Sequence, residues 1–267
     1  MSFSARPSSR RIGIDMYAEL RENERIDDLQ FKGLKLIQNG EYFSFGIDAV
    51  LLARFSSPKD NDVIVDLGTG TGIIPVMASG LCSSDDITGL EIQECMCDLF
   101  GRSIVLNSLD DRVRCVNGDI KQIGEYFARG SVSLVISNPP YIKAGNGIVN
   151  DLSQKAISRH EVLCTLDDVV SAAGYLLKEK GRLALINKPE RMIECFDAMR
   201  KYGIQPKRAQ LIFPRADKLP SAIMIEGVKG AKEGFKMLRP IIVMNDRGEY
   251  TVSIQDIYSD KGAEIFR

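Results

Sequence analysis

The stretch VDLGTGTG, residues 65–72, decides the fold of this 267-residue chain. It closes a short run rich in β-branched residues, DVIVDLG, and leads into IIPVMASGL, an apolar segment that suits a helix. Gly68, Gly70 and Gly72 allow the chain to turn tightly and let its backbone approach a ligand closely. Ligands of open parallel sheets bind at the carboxyl ends of the strands. The stretch therefore predicts a strand, a turn and a helix, with a binding site at the turn.

Strand-like and helical runs alternate downstream of this turn. The strand-like runs are DVIVDLG, DITGLEI, RVRCVNGD, SVSLVISN and GRLALINK. Such βαβα alternation predicts an α/β fold with a mostly parallel sheet and helices on both faces. Two later runs, QPKRAQLIFP and SAIMIEGVK, follow with little helix between them, and we expect them to form an antiparallel pair at the sheet edge. The prediction is thus a seven-stranded sheet.

The N-terminal part of the chain is expected to be an extension of this core. In LKLIQNGEYFSF, residues 34–45, Asn39-Gly40 is a strong hairpin signal, and GIDAVLLARF predicts a short helix. The basic leader MSFSARPSSRR lacks the apolar region of a secretory signal. We therefore expect residues 1–60 to form a leader, hairpin and helix, and residues 61–267 to form the core of one domain.

Composition excludes several functional classes. The net charge is −1, 44% of residues are hydrophobic and 27% are charged, as in an ordinary globular protein. No apolar run approaches the roughly 18 residues of a membrane span. The six cysteines and the single histidine, His160, lack the spacing of a zinc site, and one histidine disfavours the hydrolases that need an imidazole base. Free or structural thiols predict a reducing, cytoplasmic compartment. From the spacing of the cysteines and the length of the apolar runs we expect no metal and no membrane association.

Three carboxylates follow the strand-like runs. Asp66 precedes the glycines, Glu91 ends the second run and Asp119 ends the third. A carboxylate beside the turn disfavours a pyrophosphate and favours a cationic ligand such as S-adenosylmethionine. Glu91 can accept both ribose hydroxyls, and Asp119 can accept from an adenine amino group. A Rossmann-like binder of another nucleotide is the alternative.

The tetrapeptide Asn138-Pro139-Pro140-Tyr141 ends the fourth run, SVSLVISN. The exocyclic amine of a base is a poor nucleophile because its lone pair is delocalised into the ring. The Asn138 side-chain carbonyl and the Pro139 backbone carbonyl can accept the amine hydrogens, and the prolines fix their direction. Tyr141 offers a face for stacking, worth roughly 1–3 kcal/mol. A rigid Asn-Pro turn without catalytic role is the alternative.

These motifs resemble those of class I methyltransferases over residues 62–187. EYFSFGIDAVLLARF, VDLGTGTGIIPVMAS, SNPPYI and SRHE together resemble the bacterial tRNA adenine-N6 methyltransferases that act on position 37 of a valine tRNA, a resemblance covering about residues 25–258. It implies a Rossmann-like fold, S-adenosylmethionine as cofactor, the anticodon loop of a tRNA as partner, and Asn138 and Tyr141 as catalytic residues. The residues expected to bind the cofactor are Asp66, Gly68, Thr69, Gly70, Gly72, Glu91, Asp119, Asn138, Phe45 and Asp48. For Phe45 the alternative is a hydrophobic plug of the sheet end, and for Asp48 it is a helix cap.

Charge by segment is consistent with an RNA partner, and a solvated surface without a partner is the alternative. Residues 200–240 carry 10 basic and 3 acidic side chains, which suggests a basic face within a neutral total. The tentative RNA contacts are Arg159, His160, Lys207, Arg208, Arg215 and Lys218. His160 is expected to anchor a loop that closes over substrate, and a role as a proton shuttle is the alternative. Protein glutamine-N5 methylation, guanine-N2 methylation of ribosomal RNA and a non-catalytic S-adenosylmethionine or RNA-binding module are the alternatives, and the sequence leaves the oligomeric state open.

Overall fold

A computed structural model describes residues 20–41, 46–139, 164–258 and 260–266 of the chain. Five residues that the sequence proposes for the site lie outside the described residues: Phe45, Pro140, Tyr141, Arg159 and His160. The glycine turn, the three carboxylates that follow strands, Asn138 and Pro139 lie within them.

Strands and helices alternate along these ranges. The strands are β1 (Glu24–Asp28), β2 (Lys35–Asn39), β3 (Val63–Leu67), β4 (Asp86–Glu91), β5 (Val113–Asn117), β6 (Val132–Ser137), β7 (Leu177–Asn187), β8 (Ile204–Arg215), β9 (Ala222–Lys229), β10 (Lys236–Met237) and β11 (Ile241–Met244). The helices are α1 (Ile47–Phe55), α2 (Ile73–Leu81), α3 (Glu94–Leu106), α4 (Ile123–Tyr126), α5 (Leu166–Leu176), α6 (Met192–Lys201) and α7 (Val252–Ile257). Short 3-10 helices cover Ile120–Gln122, Pro189–Arg191 and Asp260–Phe266.

The main sheet has the order β10–β8–β9–β7–β6–β3–β4–β5, and β11 also pairs with β8, giving nine strands within the described ranges. Strands β3 to β7 are parallel to one another, and β9 runs antiparallel between β7 and β8. The predicted mostly parallel sheet and the β8–β9 pair are confirmed. The predicted count of seven and the edge position of that pair are wrong, because β10 and β11 pair outside β8. Strands of two and four residues are too short to show a period in the sequence.

Two hydrophobic clusters cover the two faces of the sheet. Ile64 and Ile136 belong to the cluster that contains residues of α1, α2, α3 and α7. Val65 and Val135, their direct neighbours in the sequence, belong to the cluster that contains residues of α4, α5 and α6. Successive side chains of a strand point to opposite faces, so each central strand is buried on both sides. Helices on both faces are confirmed.

The N-terminal part of the described chain contains a hairpin of β1 and β2, which the sequence did not predict. Strand β2 pairs antiparallel with β1, which precedes it, so that Glu24 lies opposite Asn39. Asn39 ends β2. Residues 42–45 of the run that follows Asn39-Gly40 lie outside the described residues, so a hairpin at Asn39-Gly40 stays a prediction. Leu36 of β2 and Ala49 of α1 share a hydrophobic cluster with Ile64 of the core. The division of the chain at residue 60 stays a prediction.

The helices of the described ranges are too short or too polar for one of them to traverse a lipid bilayer.

Candidate functional site

The carboxyl ends of β3, β4, β5 and β6 meet along one edge of the sheet. Register places Asp66 of β3 between Gly89 of β4 and Ile136 of β6. Glu91 is paired with Asn117 at the end of β5. Because these strands are parallel, the segments that follow them lie along the same edge. The glycine turn, Glu91, Asp119 and Asn138 are therefore brought to one edge of the sheet.

The glycine turn is held against β4 by hydrogen bonds. The backbone N–H groups of Gly68 and Thr69 donate to the carbonyl of Leu90, at 2.9 and 3.1 Å. The N–H of Gly70 donates to Oε2 of Glu91 at 2.9 Å. Gly72 has φ +86°, and a Cβ at this position would lie 1.9 Å from Cδ2 of Phe100. The turn thus requires glycine at residue 72 both for its backbone angle and for the space that Phe100 fills.

Asp66 is a buried carboxylate whose two oxygens receive no hydrogen bond from a described residue. Its side chain is 1% exposed. Burial is the main cause that raises the pKa of Asp66 to about 7; the nearby Thr69 hydroxyl opposes this shift, and the negative charge of Glu91 adds to it. A buried carboxylate of this kind is costly unless a cation compensates it, so this site suits a positively charged ligand.

Glu91 and Asp119 are ordered by backbone N–H groups. Oε1 of Glu91 accepts from the N–H of Gln93 at 3.0 Å, in addition to the bond from Gly70. Oδ1 of Asp119 accepts from the N–H of Lys121 at 2.9 Å. Each carboxylate retains lone pairs for further donors, since an ionised carboxylate has about four acceptor positions. Both are therefore positioned to accept hydrogen bonds from a ligand along the edge.

Two apolar residues that the sequence reasoning missed flank these carboxylates. Ile92 directly follows Glu91 and is 38% exposed, although it is a large hydrophobic residue. Ile120 directly follows Asp119, and its Cδ1 lies 4.0 Å from the Cβ position that could be built on Gly68. The signal in the sequence was an isoleucine after each strand-ending acid. An apolar residue thus directly follows each of the two carboxylates.

Asn138 and Pro139 follow β6 directly beside β3. The hydroxyl of Ser137, the last residue of β6, donates to the carbonyl of Leu67 at 2.9 Å. This bond fixes the end of β6 against the start of the glycine turn. Pro139 is buried and Asn138 is partly buried. The described half of the tetrapeptide therefore lies next to the turn, on the side of the sheet edge away from Glu91.

Asp48 does not cap α1. The N-cap residue is Gly46, and no side chain caps the helix among the described residues, so the capping alternative is wrong. Asp48 lies in the first turn, and burial raises the pKa of its carboxyl while the ammonium of Lys188 opposes that shift. Lys188 follows β7, two strands away from β3. Asp48 therefore lies near the end of β7.

Comparison with known proteins assigns this site to a family. The model of the methyltransferase small domain matches residues 45–202, more than half of the chain. The chain belongs to the methyltransferase small domain family. The residues that the family model covers include the glycine turn, the three carboxylates Asp66, Glu91 and Asp119, and Asn138. The match to the family therefore includes the site described above in this methyltransferase.

Individual relatives agree with the family. A protein of Photobacterium profundum named tRNA1(Val) (adenine(37)-N6)-methyltransferase is 25% identical, over 83% of this chain and 92% of its own. A protein of the same name from Porphyromonas gingivalis is 28% identical, over 75% of this chain and 80% of its own. Among solved structures, a "predicted O-methyltransferase" from Agrobacterium tumefaciens has a TM-score of 0.64 at 19% identity, covering 81% of this chain and 97% of that one. TYW2 from Pyrococcus horikoshii has a TM-score of 0.56 at 13% identity, covering 79% and 74%. At these identities the structures show the shared fold.

The four described basic residues that the sequence proposed for RNA contact are not brought together in this methyltransferase. Strand β8 runs in the same direction as β7, since both are antiparallel to β9. Arg215 ends β8, and Lys218 follows it, so both lie at the edge that carries Asn138. Lys207 lies near the opposite end of β8 and donates to the carbonyls of Lys232 and Glu233.

Arg208 is part of an internal network. Its Nε and Nη2 donate to Glu226 at 2.9 and 3.0 Å. Its Nη1 donates to the carbonyl of Phe266 at 2.8 Å, and Nη2 also donates to that of Phe55 at 2.7 Å. A guanidinium with these partners is a structural group and is not available to bind phosphate.

Metal ligands and disulfides do not contribute to the described site. Within the ranges that the structure describes, no group of three or more histidine, cysteine, aspartate or glutamate side chains could hold a metal ion. The six cysteines, all of which are described, are free thiols.

Proposed function

We propose that this methyltransferase transfers a methyl group from S-adenosylmethionine to the N6 nitrogen of adenine 37 in tRNA1(Val), in the cytoplasm. The observation that carries the proposal is that two groups lie at one sheet edge: the buried Asp66, whose oxygens accept no hydrogen bond from the described residues, and the Asn138-Pro139 segment that follows the adjacent strand. The names of the Photobacterium and Porphyromonas relatives support the substrate.

The residues present fit S-adenosylmethionine. Asp66, whose oxygens receive no hydrogen bond from the described residues, suits the positive charge of the cofactor. Glu91 accepts the ribose hydroxyls, and Asp119 accepts from the adenine amino group. Ile92 and Ile120 would provide apolar contact for the adenine. Bound S-adenosylmethionine supplies an electrophilic methyl group on its sulfonium.

Asn138 and Pro139 activate the acceptor nitrogen. The Asn138 amide carbonyl and the Pro139 backbone carbonyl accept the two amine hydrogens, which draws the nitrogen toward tetrahedral geometry and frees its lone pair. Their direction is fixed by β6, whose end is bonded to Leu67 through Ser137. Fixed acceptors of this kind lower the barrier without reorganisation. Tyr141, which lies outside the described residues, is assigned the stacking face for the base, and no metal is required.

Arg215 and Lys218 are proposed to contact phosphates of the tRNA anticodon arm. Both lie at the edge that carries Asn138, and their side chains are 37% and 63% exposed. Bases of an anticodon loop can be splayed out at less cost than bases of a duplex. Arg159 and His160 remain proposals for the loop that follows the tetrapeptide.

The test is nucleoside mass spectrometry on unmodified tRNA1(Val) treated with protein and S-adenosylmethionine. Wild-type protein is expected to form N6-methyladenosine at position 37. Asn138→Ala is expected to reduce the rate by roughly 10²–10³, as for removal of a group that stabilises developing charge. A transcript with guanosine at position 37 is the matched control and is expected to remain unmethylated.

Other products would identify the alternatives. Transfer of label to a protein fraction indicates glutamine-N5 methylation, and N2-methylguanosine in ribosomal RNA indicates the guanine activity. Cofactor binding without any methylated acceptor indicates a non-catalytic module. Each of these results contradicts the proposed function.

A further inference from the structure

The N-terminal hairpin, formed by β1 and β2, is bonded to α3 along one side of β2. The N–H of Lys35 donates to Oδ1 of Asn107 at 2.8 Å, and Nδ2 of Asn107 donates back to the carbonyl of Lys35 at 2.7 Å. The N–H of Ile37 donates to Oγ of Ser103 at 2.9 Å. These bonds fix β2 relative to the helix that follows Glu91.

Gln38, the next residue of β2, reaches the glycine turn. Its side chain is completely buried. Its Nε2 donates to Oγ1 of Thr71 at 2.7 Å, with a longer contact to the carbonyl of Ile37 at 3.5 Å. Thr71 lies between Gly70 and Gly72 and is itself buried. An extension that precedes the core thus contributes a hydrogen bond directly to the turn.

The glycine turn is consequently held from two sides. On the β4 side, Leu90 and Glu91 accept hydrogen bonds from its backbone. On the β2 side, Gln38 bonds the side chain of Thr71. Gly70 and Gly72 have φ of +56° and +86°, and glycine is the residue with the greatest backbone freedom. External anchors are therefore what restricts the turn to one conformation.

The Gln38 side chain is poorly explained by stability alone. Oε1 of Gln38 is buried and accepts no hydrogen bond from a described residue. A buried amide with an unpaired oxygen costs free energy, and an apolar side chain of similar shape would avoid that cost. The amide therefore fits a role in the binding site better than a role in the core.

We propose that Gln38 is a positioning residue for the cofactor site, which fixes the glycine turn through Thr71 and makes the N-terminal hairpin a part of that site. This inference depends on one part of the proposed function, the identity of the cofactor as S-adenosylmethionine. A turn that is already fixed loses less conformational entropy when a ligand binds, so this hydrogen bond raises cofactor affinity. The methyl acceptor plays no part in it.

The test is isothermal titration of S-adenosylhomocysteine into Gln38→Met, with thermal melting of the ligand-free protein alongside. We expect the Kd to rise roughly three- to tenfold, the range for removal of one hydrogen bond. The Tm is expected to stay close to that of wild type, because removal of the unpaired Oε1 of Gln38 offsets the loss of the donor to the Thr71 hydroxyl. A merely structural role would lower the Tm together with the affinity.

Ser103→Ala is the matched control, because it removes a hairpin bond that does not touch the turn. It is expected to lower the Tm and leave the Kd at the wild-type value. Weakening of binding by Ser103→Ala to the same extent as by Gln38→Met would overturn the proposal, and so would an unchanged Kd in Gln38→Met.

Thr71→Val tests whether Gln38 acts on the glycine turn through the Thr71 hydroxyl. It is expected to weaken binding as Gln38→Met does, and the double variant is expected to be no weaker than either single variant, since both remove one bond. Additive effects would contradict transmission through Thr71. Should Gln38→Met fail to fold, Thr71→Val alone decides, and a wild-type Kd there overturns the proposal.

The titration separates this inference from the proposed function. Wild-type protein that binds S-adenosylhomocysteine but methylates no tRNA contradicts the proposed substrate, and the Kd values of the variants still decide the role of Gln38. Wild-type protein that does not bind S-adenosylhomocysteine contradicts both.

Discussion

At the scale of single residues, Asp66, which is proposed to lie against the cofactor, has a cost to stability. It is fully buried, has no hydrogen bond from the described residues, and has its pKa raised to about 7, chiefly by burial. An unfolded aspartate has a pKa of about 3.9. Between about pH 4 and pH 7 the folded protein therefore keeps a proton that the unfolded chain has released. The stability of the ligand-free protein falls as the pH rises through this window and is not changed further by this group above it.

Asp66→Asn is expected to remove that penalty. At pH 8 the ligand-free variant should be more stable than wild type, on the order of 1–3 kcal/mol, because a neutral amide is easier to bury than a carboxylate. At pH 4 the difference should disappear, since the wild-type side chain is then neutral when folded. The variant should also bind S-adenosylhomocysteine much more weakly. Thermal melts between pH 4 and pH 8, with and without that compound, measure both effects. A stability difference that is independent of pH would show that Asp66 does not carry the raised pKa.

At the scale of secondary-structure elements, a partly buried ion-pair network joins five separate parts of the chain. Arg208 of β8 bonds Glu226 of β9 and the carbonyls of Phe55 and Phe266, and its guanidinium lies 4.6 Å from the centroid of the Phe55 ring. Arg182 of β7 also approaches Glu226, at 3.6 Å. The end of α1 and the C-terminal 3-10 helix are thereby attached to the sheet.

Arg208→Met is expected to destabilise the protein by about 3–5 kcal/mol, because it leaves Glu226 buried with a weaker partner and removes the donor of the Phe266 carbonyl. The Phe55 carbonyl still accepts a hydrogen bond from the hydroxyl of Ser57. The double variant with Glu226→Met should recover part of that stability, since it removes the unpaired charge. Urea denaturation of the wild type, both single variants and the double variant measures the coupling. If Arg208 were instead an exposed RNA contact, Arg208→Met would leave the unfolding midpoint near the wild-type value.

The elements that the sequence predicted well are those with local signals. Strands β3 and β6 are β-branched runs of five and six residues, and the glycine turn is marked by its own composition. The partners of Arg208 and Gln38 were not predictable, because Glu226 and Thr71 lie 18 and 33 residues away in the chain. The pairing of β2 with β1 was missed because Asn39-Gly40 gave a stronger local signal than the loop that joins the two strands. In each case the missing information is an interaction that only the tertiary structure creates.

At the scale of the whole molecule, the distribution of positive charge is set by topology. Residues 200–240 are basic in sum, yet β8 carries Lys207 and Arg215 toward opposite edges of the sheet. Lys236 of β10 is paired in register with Arg208, in the half of β8 nearer Lys207. A count along the chain could not reveal this separation, because a strand of 12 residues spans roughly 40 Å at about 3.3 Å per residue. Of the four described residues that the sequence proposed for RNA, Arg215 and Lys218 lie at the edge that carries Asn138.

This separation supplies a matched pair of variants for tRNA binding. Arg215→Ala with Lys218→Ala is expected to weaken binding of unmodified tRNA1(Val) and to reduce the slope of log K against log salt by about 0.7–0.9 for each phosphate that is no longer neutralised. Lys207→Ala with Lys236→Ala removes the same charge from the opposite half of the sheet and should leave the slope close to that of wild type. Affinities measured by fluorescence anisotropy between about 50 and 200 mM salt, a range over which phosphate binding changes steeply, compare the two pairs directly. Equal reductions in slope for both pairs would mean that net charge, and not the edge beside Asn138, controls binding, whereas a reduction confined to Arg215 and Lys218 would orient the tRNA over the carboxyl ends of the strands.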